Sequence, residues 1–247
     1  MSKATDGLEA DRAALLEICA GLSQADWQAP SGCSGWTVQD VVSHMAALYW
    51  LIVDRRKLPK VTGLSTERAQ DVYVEDRRSM TAEQVVADYE SVSTAALPVL
   101  ESFDGQEFEV PLNDLGTYKA TVVPTAYSFD HYVHIRMDLF APRGPLAGPP
   151  PPSDELRLGP VLDWVAEALP QQSADALASL PGAIEFVLTG PAARPIRAGS
   201  GEPLGQVTMA APAFLASITQ RADWSEAEIK TTGDALTPAM LAPLKVF

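Results

Sequence analysis

Apolar residues recur at helical spacing in four stretches of the first half of the chain. Across residues 7–22, Leu8, Leu15, Ile18, Cys19 and Leu22 share one face, broadened by Ala14 and Leu16. Asp11 falls on that stripe, which predicts loose packing of the first turns at the margin of a helical core. A second helix is expected after Thr37 and runs to about Asp54, with Val38, Val41, Val42, Met45, Leu48, Tyr49 and Ile52 turned inward. Thr37 is a good N-cap; Asp40, three residues on, is a weaker partner than the glutamate or glutamine of the usual capping box. The third helix follows Thr81 and buries Val85, Val86, Tyr89, Val92 and Ala96. The fourth starts at Pro124, whose missing N–H costs nothing in a first turn, and runs to about Phe140. Trp27 and Trp36, in the loop before Thr37, are expected to plug one end of the bundle. Residues 55–79 read as a charged crossover with one short helix around Glu67 to Tyr73. Residues 107–123 read as a hairpin-like excursion.

The clearest boundary is the Pro/Gly stretch at residues 142–152, which ends in four prolines. It divides a helical domain at residues 1–145 from a second domain at residues 153–247. There a helix is expected at residues 154–168, strands at 183–189 and 205–210, and a helix from near Ala211. A strand and turn in A-E-I-K-T-T-G-D and a short helix from Thr237 complete it. The fold class is α+β, a four-helix bundle followed by a small α/β domain.

Charge narrows the function. With 32 acidic and 18 basic residues, the net charge of −14 opposes binding to nucleic acid or to an anionic membrane surface. No apolar run is long enough to span a bilayer, and no apolar signal core opens the sequence, so a cytoplasmic protein is expected. Cys19 and Cys33 do not make a disulfide framework. Nucleotide-loop, dinucleotide and nucleophile-elbow motifs are absent.

Candidate chemistry gathers on the three histidines. Asp130 and His134 are four residues apart and stack on one helical face. His44, three beyond Val41 and four before Leu48, points to the bundle interior or its margin. If the three converge they form a His₂Asp set suited to zinc, iron or nickel, with a coordination position left open. His131 competes, because it also shares a face with His134; were both to bind, Asp130 would fall outside the site. The bland alternative is an Asp130–His134 pair across one turn. Asp138, four beyond His134, is a candidate to hold the imidazole N–H, or else a partner for Arg136 or Arg143. Cys33 is a weaker candidate as a nucleophile, since no histidine adjoins it in sequence.

The segment D-W-Q-A-P-S-G-C-S-G-W-T-V-Q-D-V-V-S-H-M resembles the start of the N-terminal domain of the mycothiol-dependent maleylpyruvate isomerase family, within the wider DinB-like metalloenzyme superfamily. The resemblance implies a four-helix bundle carrying a divalent metal, usually zinc, on His44, Asp130 and His134. It favours Asp130 over His131. One departure is Asp130 itself, where the isomerase resembles a Glu-x-x-x-His arrangement. The later half resembles the companion sterol-carrier-like domain and implies an arginine for a substrate carboxylate, with Arg221 the first match and Arg197 the next. The implied function is metal-dependent activation of a low-molecular-weight thiol such as mycothiol. The thiol would serve as co-substrate in S-transfer to, or cis–trans isomerisation of, a small electrophile, by a transferase or isomerase acting as monomer or homodimer. The alternatives are a metal-activated-water hydrolase or lyase in a biosynthetic pathway, and a non-catalytic small-molecule-binding or regulatory protein.

Overall fold

The structure, a computed structural model, describes residues 3–233 and 236–247. The chain forms two compact units, residues 1–152 and 153–247, with helices dominating the first and a small sheet in the second; the fold is α+β.

In the first unit, α1 (Lys3–Gly21), α3 (Val38–Val53), α5 (Ala82–Glu101) and α6 (Val123–Val133) share one hydrophobic core. α3 packs on α5, and α1 packs on both α5 and α6. The short α2 (Gln24–Gln28) brings Trp27 into the core. α4 (Thr66–Arg77) packs on α3, and β1 (Glu109–Pro111) pairs antiparallel with β2 (Thr117–Lys119) before α6. α3 begins where the sequence places it. Thr37 Oγ1 accepts from the Asp40 N–H at 3.2 Å, and Asp40 Oδ2 accepts from the Thr37 N–H at 2.9 Å, so the aspartate closes a full capping box.

Three expectations need correction. Asp11 does not mark a loose margin. It is 2 % exposed, and Arg136 grips it with two bonds, Nη1 to Oδ2 at 3.0 Å and Nη2 to Oδ1 at 2.7 Å. Arg136 also donates to the Pro152 carbonyl at 2.8 Å and lies over the Tyr132 ring. With Leu8 and Thr5 buried beside it, the first half of α1 is firmly packed. An acid on an apolar stripe signalled a buried ion pair whose partner is 125 residues away. Second, the crossover is more ordered than its charge suggests. α4 spans 12 residues, and buried Arg77 donates to Ser43 Oγ at 2.9 Å and pairs with Asp88, which also accepts from Trp50 Nε1. Third, the last helix of the unit changes pitch. The α-helical bonding of α6 gives way to a π-helix over His134–Leu139, and the chain then doubles back. Gly144 permits that return, because a Cβ there would lie 2.2 Å from the Leu139 carbonyl carbon.

His131 belongs to this core. It is fully buried, its Nδ1–H donates to the Tyr127 carbonyl at 3.1 Å, and its ring centroid lies 5.0 Å from that of Tyr49. Burial pushes its pKa down to about 4, so the ring is neutral.

The second unit is a four-stranded sheet in the order β4-β3-β5-β6, made of β3 (Ala183–Thr189), β4 (Pro195–Ala198), β5 (Pro203–Ala210) and β6 (Lys230–Thr232). β3 runs parallel to β5 and antiparallel to β4, and β5 runs antiparallel to β6. α7 (Glu155–Gln172) packs on β4, and α9 (Ala211–Ile218) packs on β3 and β5. Phe186, Phe214 and Trp224 form an aromatic cluster in its interior. α8 (Ala174–Ala178) and β4 fall outside the expected elements, and α10 (Pro238–Leu241) follows Thr237. The expected turn after β6 includes Asp234, which lies outside the described residues. Among the described residues no helix is long and apolar enough to cross a membrane.

Two stability measurements follow. Arg136→Met removes the guanidinium that grips the buried Asp11 carboxylate and should cost roughly 3–5 kcal/mol in chemical denaturation. Adding Asp11→Leu should recover much of that loss; equal stability of native chain and Arg136→Met would contradict the pairing. His131 generates a pH dependence. Its folded pKa lies below the unfolded value of about 6.5, so between the two the unfolded chain binds the extra proton. Stability contributed by the neutral ring is complete above about pH 6.5 and falls as pH drops toward 4. In His131→Leu, denaturation between these pH values should show a shallower decline.

Candidate metal centre

Three elements of the first unit build the site. The loop ahead of α3 is tied to itself by the Ser31 N–H to Trp36 carbonyl bond at 2.9 Å and the Val38 N–H to Ala29 carbonyl bond at 3.0 Å. The Gly32 N–H donates to the Asp138 carbonyl at 2.8 Å, which staples this loop to the π-helix. Glycine is needed there, since a Cβ on Gly32 would lie 2.8 Å from Asp138 Oδ1. α3, started by its capping box, carries His44 inward; α6 carries Asp130; His134 opens the π-helix.

The structure brings His44, Asp130 and His134 together. His44 Nε2 lies 3.1 Å from Asp130 Oδ1, and His134 Nε2 lies 3.4 Å from the same oxygen. The two rings meet edge to face, 4.9 Å between centroids. Trp36 covers them, 5.0 Å from the His44 ring and 6.5 Å from that of His134, its indole N–H donating to Asp71 Oδ1 at 3.2 Å. On the far side of His134, Nδ1 donates to Asp138 Oδ2 at 2.9 Å. Asp138 is fully buried and lies 3.6 Å from Arg143 Nε, while Arg136, the other partner considered for it, is taken by Asp11.

These distances suit an ion. Two ligand atoms each about 2.0–2.2 Å from a tetrahedral centre stand about 3.4 Å apart, close to the separations found here. With the Asp138 carboxylate holding the Nδ1 proton, the Nε2 lone pair of His134 is left for bonding, the usual carboxylate–imidazole arrangement behind a metal ligand. Asp130 Oδ2 and His44 Nδ1 are buried without a hydrogen-bond partner. Among the described residues no fourth histidine, cysteine, aspartate or glutamate joins the triplet. His131 is not part of it, its Nδ1 being engaged by Tyr127.

Electrostatics tie the three groups into one unit. Burial favours the neutral acid of Asp130, but His134 and His44 outweigh it and hold the carboxyl well below the usual range. Burial likewise opposes charge on His134, yet Asp130 and the Asp138 bond raise its pKa well above the ordinary imidazole value. The site is thus a buried anion with a positive charge at His134 Nε2, the atom where a divalent ion would take the proton's place.

Cys33 has no histidine beside it in sequence but meets one in space. Its half-buried Sγ lies 3.6 Å from His134 Nδ1, a contact made across 101 residues and carried by the Gly32 staple. No local signal announces it. Arg221 lies in the second unit, just beyond α9, its backbone N–H bonded to the Ala216 carbonyl and its guanidinium to that of Thr219. It lines a cavity of about 410 Å³ with Ser217, Asp223 and Trp224. Ser217 Oγ and Trp224 Nε1 are buried there without a hydrogen-bond partner. Arg197 sits on β4 and is engaged with Glu185 and the Gly201 carbonyl.

No curated protein matches this chain. Two solved structures do: the mycothiol-dependent maleylpyruvate isomerase, and a histidine-to-alanine mutant of it. Each aligns at a TM-score of 0.56 and 12 % identity over 95 % of this chain and 94 % of the other, a likeness of fold. The sequence profile of the mycothiol maleylpyruvate isomerase N-terminal domain matches residues 8–140, which hold every residue of the candidate triplet. The chain belongs to the mycothiol maleylpyruvate isomerase N-terminal domain family.

Proposed function

We propose that this protein is a divalent-metal-dependent enzyme that uses a low-molecular-weight thiol of the mycothiol type on a small electrophilic substrate. The observation that carries this reading is the meeting of two imidazole nitrogens on a single carboxylate oxygen, in a site that no fourth histidine, cysteine, aspartate or glutamate joins among the described residues. His44 Nε2, Asp130 Oδ1 and His134 Nε2 would hold the ion, zinc fitting the two-nitrogen, one-oxygen set best. An ion in such a site supplies Lewis acidity, by which a thiol or water becomes a nucleophile at neutral pH.

The remaining work belongs to the chain. Asp138 fixes the tautomer and direction of the His134 ring. Trp36 walls the histidines and limits water at their reactive edge. Neutral His131 packs behind Asp130 without adding charge. Arg221 is proposed for a substrate carboxylate, to which its planar fork is matched. In the isomerisation the thiol sulfur bonds to an electrophilic carbon of a conjugated double bond. The carbon–carbon bond, now single, rotates, and the thiol leaves with its electrons and proton restored. Substrate and product then share one formula and the thiol is not consumed. The family and the fold, both matched to a mycothiol-dependent isomerase, favour this course over S-transfer and over hydrolysis.

The ligand set is tested by elemental analysis of purified chains. His44→Ala and His134→Ala should each lose the bound metal and, in parallel, at least about a hundredfold in activity, the scale of removing a metal ligand or its support. Full metal content in either variant would refute the assignment. Thiol use is tested by assaying cis–trans isomerisation of a conjugated dicarboxylate. Turnover should appear with mycothiol and be absent without a thiol, and glutathione serves as the comparison. Equal turnover without any thiol would instead favour water as the nucleophile.

A further inference from the structure

The His134 ring has two nitrogens, and only Nε2 faces the triplet. Nδ1 faces a second set of donors: Cys33 Sγ at 3.6 Å and Asp138 Oδ2 at 2.9 Å, the three atoms lying within 4.8 Å of one another. We propose that Cys33, His134 Nδ1 and Asp138 form an outer site for a thiophilic divalent cation, back to back with the inner one across a single imidazole.

The spacing supports it. A sulfur about 2.3 Å and a nitrogen about 2.0 Å from one tetrahedral ion stand about 3.6 Å apart, the separation between Cys33 and His134. The Asp138 oxygen is closer to Nδ1 than such an ion would leave it, so the carboxylate must draw back by about half an ångström. Its other oxygen already leans toward Arg143 Nε, 3.6 Å away. Thiolate and imidazole together select zinc, cadmium and their like over magnesium or calcium. Access is available because Cys33 is only partly buried, whereas Asp138 is fully buried. The Gly32 N–H to Asp138 carbonyl bond ties the loop bearing the sulfur to the helix bearing the other two ligands. On binding, the Cys33 thiol proton and the His134 Nδ1 proton leave to solvent, and the imidazole bridges the two positions. The outer site needs only these three residues and does not require the inner one to be filled. Cys19, the other thiol, is buried in the core with its pKa pushed up to about 12, and it does not compete.

Titration of the full chain with cadmium, read by the ultraviolet thiolate-to-cadmium charge-transfer band and by elemental analysis, tests the proposal. The native chain should develop the band. Cys33→Ser should lose it and bind one equivalent fewer than the native chain, with an unchanged thermal unfolding midpoint as the control for folding. His44→Ala should lose the inner equivalent yet keep the band, which separates failure of the inner assignment from failure of this one. Absence of the band in the native chain would overturn the outer site. So would its persistence in Cys33→Ser, or its loss in a folded His44→Ala.

Discussion

Two imidazoles from different helices converge on one oxygen of Asp130, and the first unit is arranged to make that possible. Neither α3 nor α6 alone offers more than part of the set. Burying a carboxylate against histidines costs solvation, and only their mutual attraction keeps all three in place. The helices must therefore be fixed before the site is of use. The capping box of Thr37 and Asp40 sets where α3 begins and hence which way His44 points. The buried Arg136–Asp11 pair locks the π-helix that continues α6 to α1. Tyr49, Tyr89 and the neutral ring of His131 fill the space beneath.

The change from α- to π-helical winding at His134 is the second constraint. Such widenings of a helix collect at functional sites because they re-aim side chains. Here the widening begins at the residue that must face Asp130 with one nitrogen and Asp138 with the other. The glycines on either side of the segment, Gly32 from the preceding loop and Gly144 from the return, allow backbone to lie where a side chain would collide. The same closeness sets a sulfur beside His134.

Much of this was legible in the sequence because helical phase is a local property. Periodicity turned His44 inward on one helix and put Asp130 and His134 on one face of another; β3 and the start of α9 were readable from apolar alternation and its change of period. What escaped was non-local. Asp11 looked like a flaw in an apolar stripe because its guanidinium partner is far along the chain. Cys33 looked isolated because its histidine arrives through a backbone contact that no spacing encodes. His131 competed for the ligand role on spacing alone; in the fold its Nδ1 is engaged by the Tyr127 carbonyl and its ring packs against Tyr49. The pitch change at His134 has no proline or glycine to announce it, and β4, at four residues, is too short to stand out.

The central claim is most directly tested by X-ray absorption spectroscopy of the full-length Cys33→Ser chain, which lacks the neighbouring thiol, loaded with a single equivalent of zinc. The expected first shell holds only nitrogen and oxygen, with the multiple-scattering pattern of two imidazoles. A shell containing sulfur, or one without imidazole scattering, would contradict a centre built on His44, Asp130 and His134.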